Sequence, residues 1–111
     1  MSQHYFKTTY QGEPVTILMG WDRPLQGFFM VIEKPQRKDD DERYLYSNLN
    51  EEDSHPKSLK PFLDVLRVFQ IVLPGEMIHE VLEDKVINCA NKTVEHQAEG
   101  GEYKRVSLSG A

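Results

Sequence analysis

A chain of 111 residues with 39% hydrophobic and 28% charged residues can bury one core without covalent staples. Its five Tyr, five Phe and one Trp exclude wholesale disorder. The single cysteine, Cys89, excludes an internal disulfide. The net charge of −5 carries no clustered cationic stripe able to neutralise phosphates, so direct nucleic-acid binding is disfavoured.

The charge is uneven. Residues 1–48 carry six Lys and Arg against seven Asp and Glu, whereas residues 49–111 carry seven against eleven. The opening Met1-Ser2-Gln3-His4-Tyr5-Phe6-Lys7 has no apolar core of a signal peptide. The longest apolar run, Phe28-Phe29-Met30-Val31-Ile32, is far short of the roughly 20 residues a membrane helix needs. No membrane contact and a cytoplasmic location are expected.

In chain order, His4 to Tyr10 reads as a strand rich in Tyr, Phe and Thr, and Gln11-Gly12-Glu13-Pro14 as a turn. Val15 to Met19 completes a hairpin with Val15, Ile17 and Met19 on one face. Gly20-Trp21-Asp22-Arg23-Pro24 breaks the pattern. Gln26 to Glu33 is the strongest strand, with Phe28, Met30 and Ile32 on one face and Phe29 and Val31 on the other. Lys34 to Glu42 reads as a charged loop and Arg43 to Asn48 as a short fourth strand.

The period changes near position 50. Ser54 or Ser58 is placed to cap a helix in which Leu59, Phe62, Leu63, Leu66 and Phe69 form an apolar stripe. Pro74 opens a second helix, with Met77, Ile78, Val81, Leu82 and Val86 as its buried stripe and Glu80, Glu83 and Asp84 opposite. Residues 92–96 and 103–108 read as two short strands joined through Gly100-Gly101, or as a tail. The expected fold is α+β: an antiparallel β-meander of about four strands followed by two helices packed on one face. It forms a single domain over 1–96, with 97–111 as an extension.

No motif for catalysis, metal binding or phosphate binding emerges, and no cofactor is expected. His79-x-x-x-Glu83 has the spacing of two metal ligands on a helix but lacks a second histidine. Asp39-Asp40-Asp41-Glu42 lacks the alternation and the glycine of a calcium loop. Cys89 with His96, His79 or His55 would make a nucleophile–base pair, but Cys89 follows an apolar stripe where packed cysteines sit. The best site candidate is an interface formed by Trp21, Asp22, Arg23, Phe29 and Val31, because Trp and Arg anchor contacts and here flank a two-sided apolar strand.

The string Trp21-Asp22-Arg23-Pro24-Leu25-Gln26-Gly27-Phe28-Phe29, with Leu45-Tyr46-Ser47-Asn48-Leu49 and Leu73-Pro74-x-x-Met77, is similar to small uncharacterised proteins encoded on bacterial plasmids and other mobile elements. The resemblance covers residues 4–96 and brings no functional residues. It implies a bacterial setting and an accessory role in plasmid or phage biology.

Three functions follow as expectations. The first is a non-enzymatic protein-binding or regulatory module using the uncovered sheet face; in its sharpest form, the acidic residues of 49–102 occupy a basic groove on a host factor. The second is a small enzyme with His79, His55 or Cys89 in a cleft between sheet and helices. The third is a homodimer built through sheet faces or edges.

Overall fold

Alternation builds the first two strands. The computed structural model describes residues 1–34, 44–99 and 101–109. In it β1 (Ser2–Tyr10) and β2 (Glu13–Asp22) form an antiparallel hairpin. Gln11 and Gly12 connect them with φ of 52° and 79°, the left-handed pair that a two-residue turn of mirror-image type requires. β3 (Gly27–Glu33) pairs antiparallel with β2, and β4 (Tyr44–Ser47) pairs with β3. The register sets Ile17 beside Ile32, Met19 beside Met30 and Trp21 beside Phe28; each is at most 3% exposed. The acidic run Asp39–Glu42 lies outside the described residues.

A single 3₁₀ turn (Asn48–Asn50) leads toward α1 (Lys60–Val68), which is followed by α2 (Gly75–Val86). Both helices cover the face bearing Phe28, Met30 and Ile32, as expected. Phe62 and Leu66 of α1 and Met77 and Val81 of α2 join the same buried cluster. Neither Ser54 nor Ser58 caps α1: the capping position is Leu59, with no side-chain cap bond. A proline in the first turn lacks the N–H that a cap would satisfy, and the Ser54 hydroxyl instead lies 3.0 Å from His55 Nδ1.

Both helices end alike. Gln70 and Asn88 take left-handed φ of 58° and 50°, and the next residues, Ile71 and Cys89, donate back to Leu66 and Asp84 carbonyls at 2.9 and 2.8 Å.

The strand pattern is not a four-stranded meander. The sheet has six strands in the order β4-β3-β2-β1-β5-β6, adding β5 (Lys92–Glu99) and β6 (Glu102–Ser109). β5 runs parallel to β1, so the chain leaves the β4 edge, passes through both helices and inserts β5 beside β1. β1 is therefore an interior strand. The 92–96 strand extends to Glu99, and most of the expected extension pairs as the edge strand β6.

Two further corrections concern which side of an element is inside. Trp21 was expected near the open sheet face, but the Ile17–Met19–Trp21 alternation continues unbroken, so its ring packs under the helices, edge-on to Phe28 at 5.1 Å. Along α2, Met77, Val81 and Asp84 are buried, while Leu82, Val86 and the following Ile87 are exposed.

Candidate functional site

The parallel pairing of β1 with β5 sets Ser2 beside Lys92, His4 beside Val94 and Phe6 beside His96. Even-numbered residues of β1 face the helices, so Ser2 and His4 lie beneath α2, both fully buried. There His4 Nε2 meets Asp84 Oδ2 at 2.6 Å, and His4 Nδ1 meets His96 Nε2 at 2.8 Å. His96 Nδ1 lies 2.7 Å from the Tyr103 hydroxyl. Lys92 Nζ donates to Asp84 Oδ1 at 2.6 Å and reaches Glu80 Oε2 at 2.8 Å. Arg105 completes the set, donating Nε to Glu80 Oε1 at 2.7 Å and Nη2 to Oε2 at 2.9 Å.

Charge fixes where the protons sit. Two carboxylates face two permanent cations, so the charges of Asp84 and Glu80 are balanced by Lys92 and Arg105. Burial works against ionisation of Asp84, but hydrogen bonds from His4, Lys92 and Ser2 outweigh it and hold its carboxyl below the usual range. Arg105, helped by Lys92 against a smaller cost of burial, holds Glu80 down to about 2. Burial, with the neighbouring His4 second, pushes His96 down to about 4, so it is neutral.

An ionised Asp84 can only accept, so His4 gives it the Nε2–H. His4 Nδ1, both nitrogens of His96 and the Tyr103 hydroxyl continue this hydrogen-bonded chain from the interior toward the groove.

One donor atom from each of His4, Glu80 and His96 lies within 4.8 Å of the others, the spacing of a three-ligand metal cluster. The donor set does not suit a divalent ion. Both Glu80 oxygens are held by Arg105 and Lys92, and all four imidazole nitrogens have partners. Two added charges would leave a buried cluster strongly positive. Among the described residues no buried polar side-chain atom lacks a hydrogen-bond partner.

Tyr103 lines a groove of about 550 Å³ between α2 and β6, shared with Glu76, His79, Glu80, Glu83 and Arg105. Burial, reinforced by Glu80 and Glu76, raises the Tyr103 phenol above its usual value, so it keeps its proton.

The residues expected to form an interface do not share one surface. Trp21 is 3% exposed and donates Nε1–H to Asn88 Oδ1 at 3.0 Å. Asp22 is buried and closes its turn by accepting from the Leu25 N–H at 3.1 Å. Arg23 is exposed at that turn. Phe29, on the face away from the helices, lies against Gly20 and is 6% exposed; Val31 is half-buried on that face. Gly20 is required there, because a Cβ would collide with the Ser2 carbonyl.

His79 and Glu83 face each other at 3.6 Å in solvent, His55 sits beside Ser54, and Cys89 is half-buried at the end of α2. The cleft expected to unite His79, His55 and Cys89 is not formed by them. His4 was not singled out at all, because its partners lie 80 and 92 residues away and only the parallel pairing joins them.

Large aliphatic side chains gather instead on the outside of the helical layer: Val68, Val72, Leu82, Val86 and Ile87 are all exposed. Leu63, Leu66, Ile71, Val72, Leu73 and Ile78, with Arg67, line a shallow groove of about 230 Å³ between the helices. Ile78, Leu82 and Val86 recur every four residues, continuing that groove as a ridge along α2.

Four of the acidic residues of 49–102 are engaged within the fold. Asp84 is buried, Glu80 is held by Arg105 and Lys92, Asp64 lies between Lys60 and Arg67, and Glu95 faces Lys7 across the sheet. Among the described residues no helix is long and apolar enough to cross a membrane. No protein-family model, curated protein or solved structure matches this chain.

Proposed function

We propose that this protein is a non-enzymatic protein-binding module whose contact surface is the aliphatic ridge of the α1–α2 layer rather than the open sheet face. The observation that carries this reading is the exposure of Val68 at 82%, Val72 at 86% and Val86 at 78% beside a sealed aromatic core. Scattered surface aliphatics are ordinary, but five gathered on one layer and running into an apolar groove are the signature of a contact site. The groups able to do chemistry support the same reading: His4, His96, Asp84 and Glu80 are buried or ion-paired, with no free base among them.

The partner that fits presents aliphatic side chains flanked by cations. The whole chain carries −5, which favours a cationic partner overall. The resemblance to mobile-element proteins makes a bacterial host protein the expected source of such a segment.

Fluorescence anisotropy with two labelled amphipathic helical peptides, one with Leu flanked by Lys and one with Leu flanked by Glu, tests the reading. Saturable binding of the Lys peptide, abolished by Val72→Ser with Val86→Ser, is expected. Binding of neither peptide, or binding that survives the double variant, overturns it. Sedimentation showing a dimer that the double variant dissolves would instead make a second copy the occupant.

A further inference from the structure

We infer that β6 is a self-association edge: it pairs antiparallel with β6 of a second copy, centred on Val106, and joins the two sheets into one.

The two edges of the sheet are finished differently. β4 is four residues long, and its register against β3 shifts between Ile32 and Glu33. Further along β3 the Phe28 N–H is taken by the Pro56 carbonyl at 2.8 Å, so that edge is broken into short pieces. β6 runs for eight residues, contains no proline, and has no strand beyond it among the described residues. Its register against β5 shifts at the far end, between Thr93 and Val94. An edge of that length presents a row of main-chain donors and acceptors to another strand, and natural sheets usually blunt such rows.

Face and charge point to a second copy and set its register. Tyr103 bonds the buried His96 and Arg105 reaches Glu80 of α2, so Lys104 and Val106 lie on the open face. An antiparallel pair of identical strands that keeps each face continuous must be centred on a residue. Centring on Lys104 or Arg105 would set identical cations directly opposite each other, which destabilises a sheet. Centring on Ser107 would put the register shift in the middle of the ladder. Centring on Val106 sets Val106 against its own copy, Arg105 against Ser107 and Lys104 against Leu108. The two Lys104 then stand four residues apart, about 14 Å, beyond the ~8 Å screening length of physiological salt. Arg105 is already paired with Glu80. The Lys104 stem gains Leu108 as an apolar neighbour, a side chain left 56% exposed in the single copy. This register also continues across the axis the open-face row of Val31, Leu18, Tyr5, Glu95 and Val106. The pairing does not use the aliphatic ridge, so the two readings can fail separately.

Sedimentation of the full chain at about 20 and about 400 µM should show monomer passing into dimer, since so small a contact associates weakly. Val106→Lys places two ammonium groups on the axis, at a half-buried position of the open face, and should weaken dimerisation about fivefold or more. Val72→Ser with Val86→Ser should leave it unchanged. In a Cys89→Ser background, Val106→Cys should form an intermolecular disulfide under oxidised glutathione, because self-paired Cα atoms lie about 4.5–5.5 Å apart. Leu108→Cys, about 14 Å from its own copy, should not. Monomer at both concentrations, a dimer dissolved by the ridge variant, or equal cross-linking at positions 106 and 108 would overturn the inference. So would a dimer that survives Val106→Lys; the cysteine pair decides the matter should that variant fail to fold.

Discussion

The two helices lie on the same face of the same sheet and are built on opposite plans. α1 is a conventional amphipath: Phe62 and Leu66 point into the core, and Lys60, Asp64 and Arg67 form ion pairs in solvent. α2 buries Asp84 beside Met77 and Val81, keeps Glu80 at the edge of the buried cluster, and turns Leu82 and Val86 outward. Phe62 of α1 meets Tyr46 edge-on and Leu66 joins the apolar cluster, so burial of apolar area suffices there. Under α2, β1 and β5 offer Ser2, His4 and His96, so only a charge-balanced, fully hydrogen-bonded set can be buried there. An amphipathic helix follows the surface it meets, and α2 meets a polar one. Its remaining aliphatics, Leu82 and Val86, are left on the outside.

The largest effects should come from removing either kind of interior. Asp84→Asn, nearly isosteric, strips Lys92 of its buried counter-charge and should cost about 3–5 kcal/mol in urea unfolding. Phe62→Ala beneath α1 should cost a similar ~3–5 kcal/mol, by creating a cavity. A small loss for Asp84→Asn beside a large one for Phe62→Ala would mean that the polar half contributes little to stability.

Acid should act on one half only. The folded state holds His96 at about 4 against 6.5 when free, so between those values the unfolded chain takes up a proton that the folded chain refuses. Stability should therefore fall by about 3 kcal/mol as pH drops from 6.5 to 4. Glu80, held at about 2 against 4.5, adds a further loss below pH 4.5. A His96→Phe variant should flatten the upper part of this profile, whatever its absolute stability. A wild-type profile that is level from pH 7 to 4 would contradict the neutral assignment.

Trp21→Phe, which keeps most of the ring and leaves Asn88 without its Nε1–H donor, should cost about 1–2 kcal/mol. Smallest of all, Leu82→Ser with Val86→Ser should shift stability by less than about 0.5 kcal/mol per site, as surface changes do. That pair sharpens the contrast with Phe62 because both helices look equally apolar in sequence.

Much of the apolar half could be read from residue order alone. Phe28, Met30 and Ile32 alternate within one strand, and Phe62 and Leu66 repeat at helical spacing, so strand, helix and shared core are all written in local pattern. The polar half could not be read this way. β1 shows polar residues at its inward positions, so nothing marks it as an interior strand until β5 is placed beside it. Along α2 the apolar residues spread over more than half of the helix surface, and period alone does not choose which part is buried. Trp21 reads as exposed because a Pro- and Gly-bearing turn follows it; Asn88, supplied by the end of α2, closes over it. The groove and its phenol depend on Tyr103, in a segment whose sequence fits a tail as well as a strand.

The inverted plan of α2 is most directly tested by hydroxyl-radical footprinting of the native chain, read residue by residue. His79, Leu82 and Val86 should be modified readily, while Met77, Val81, His4 and His96 stay protected, although methionine is intrinsically the more reactive side chain. Fast modification of Met77 or of His4 and His96, with Leu82 and Val86 protected, would show the helix turned the other way and remove the basis for both the ridge and the buried polar cluster.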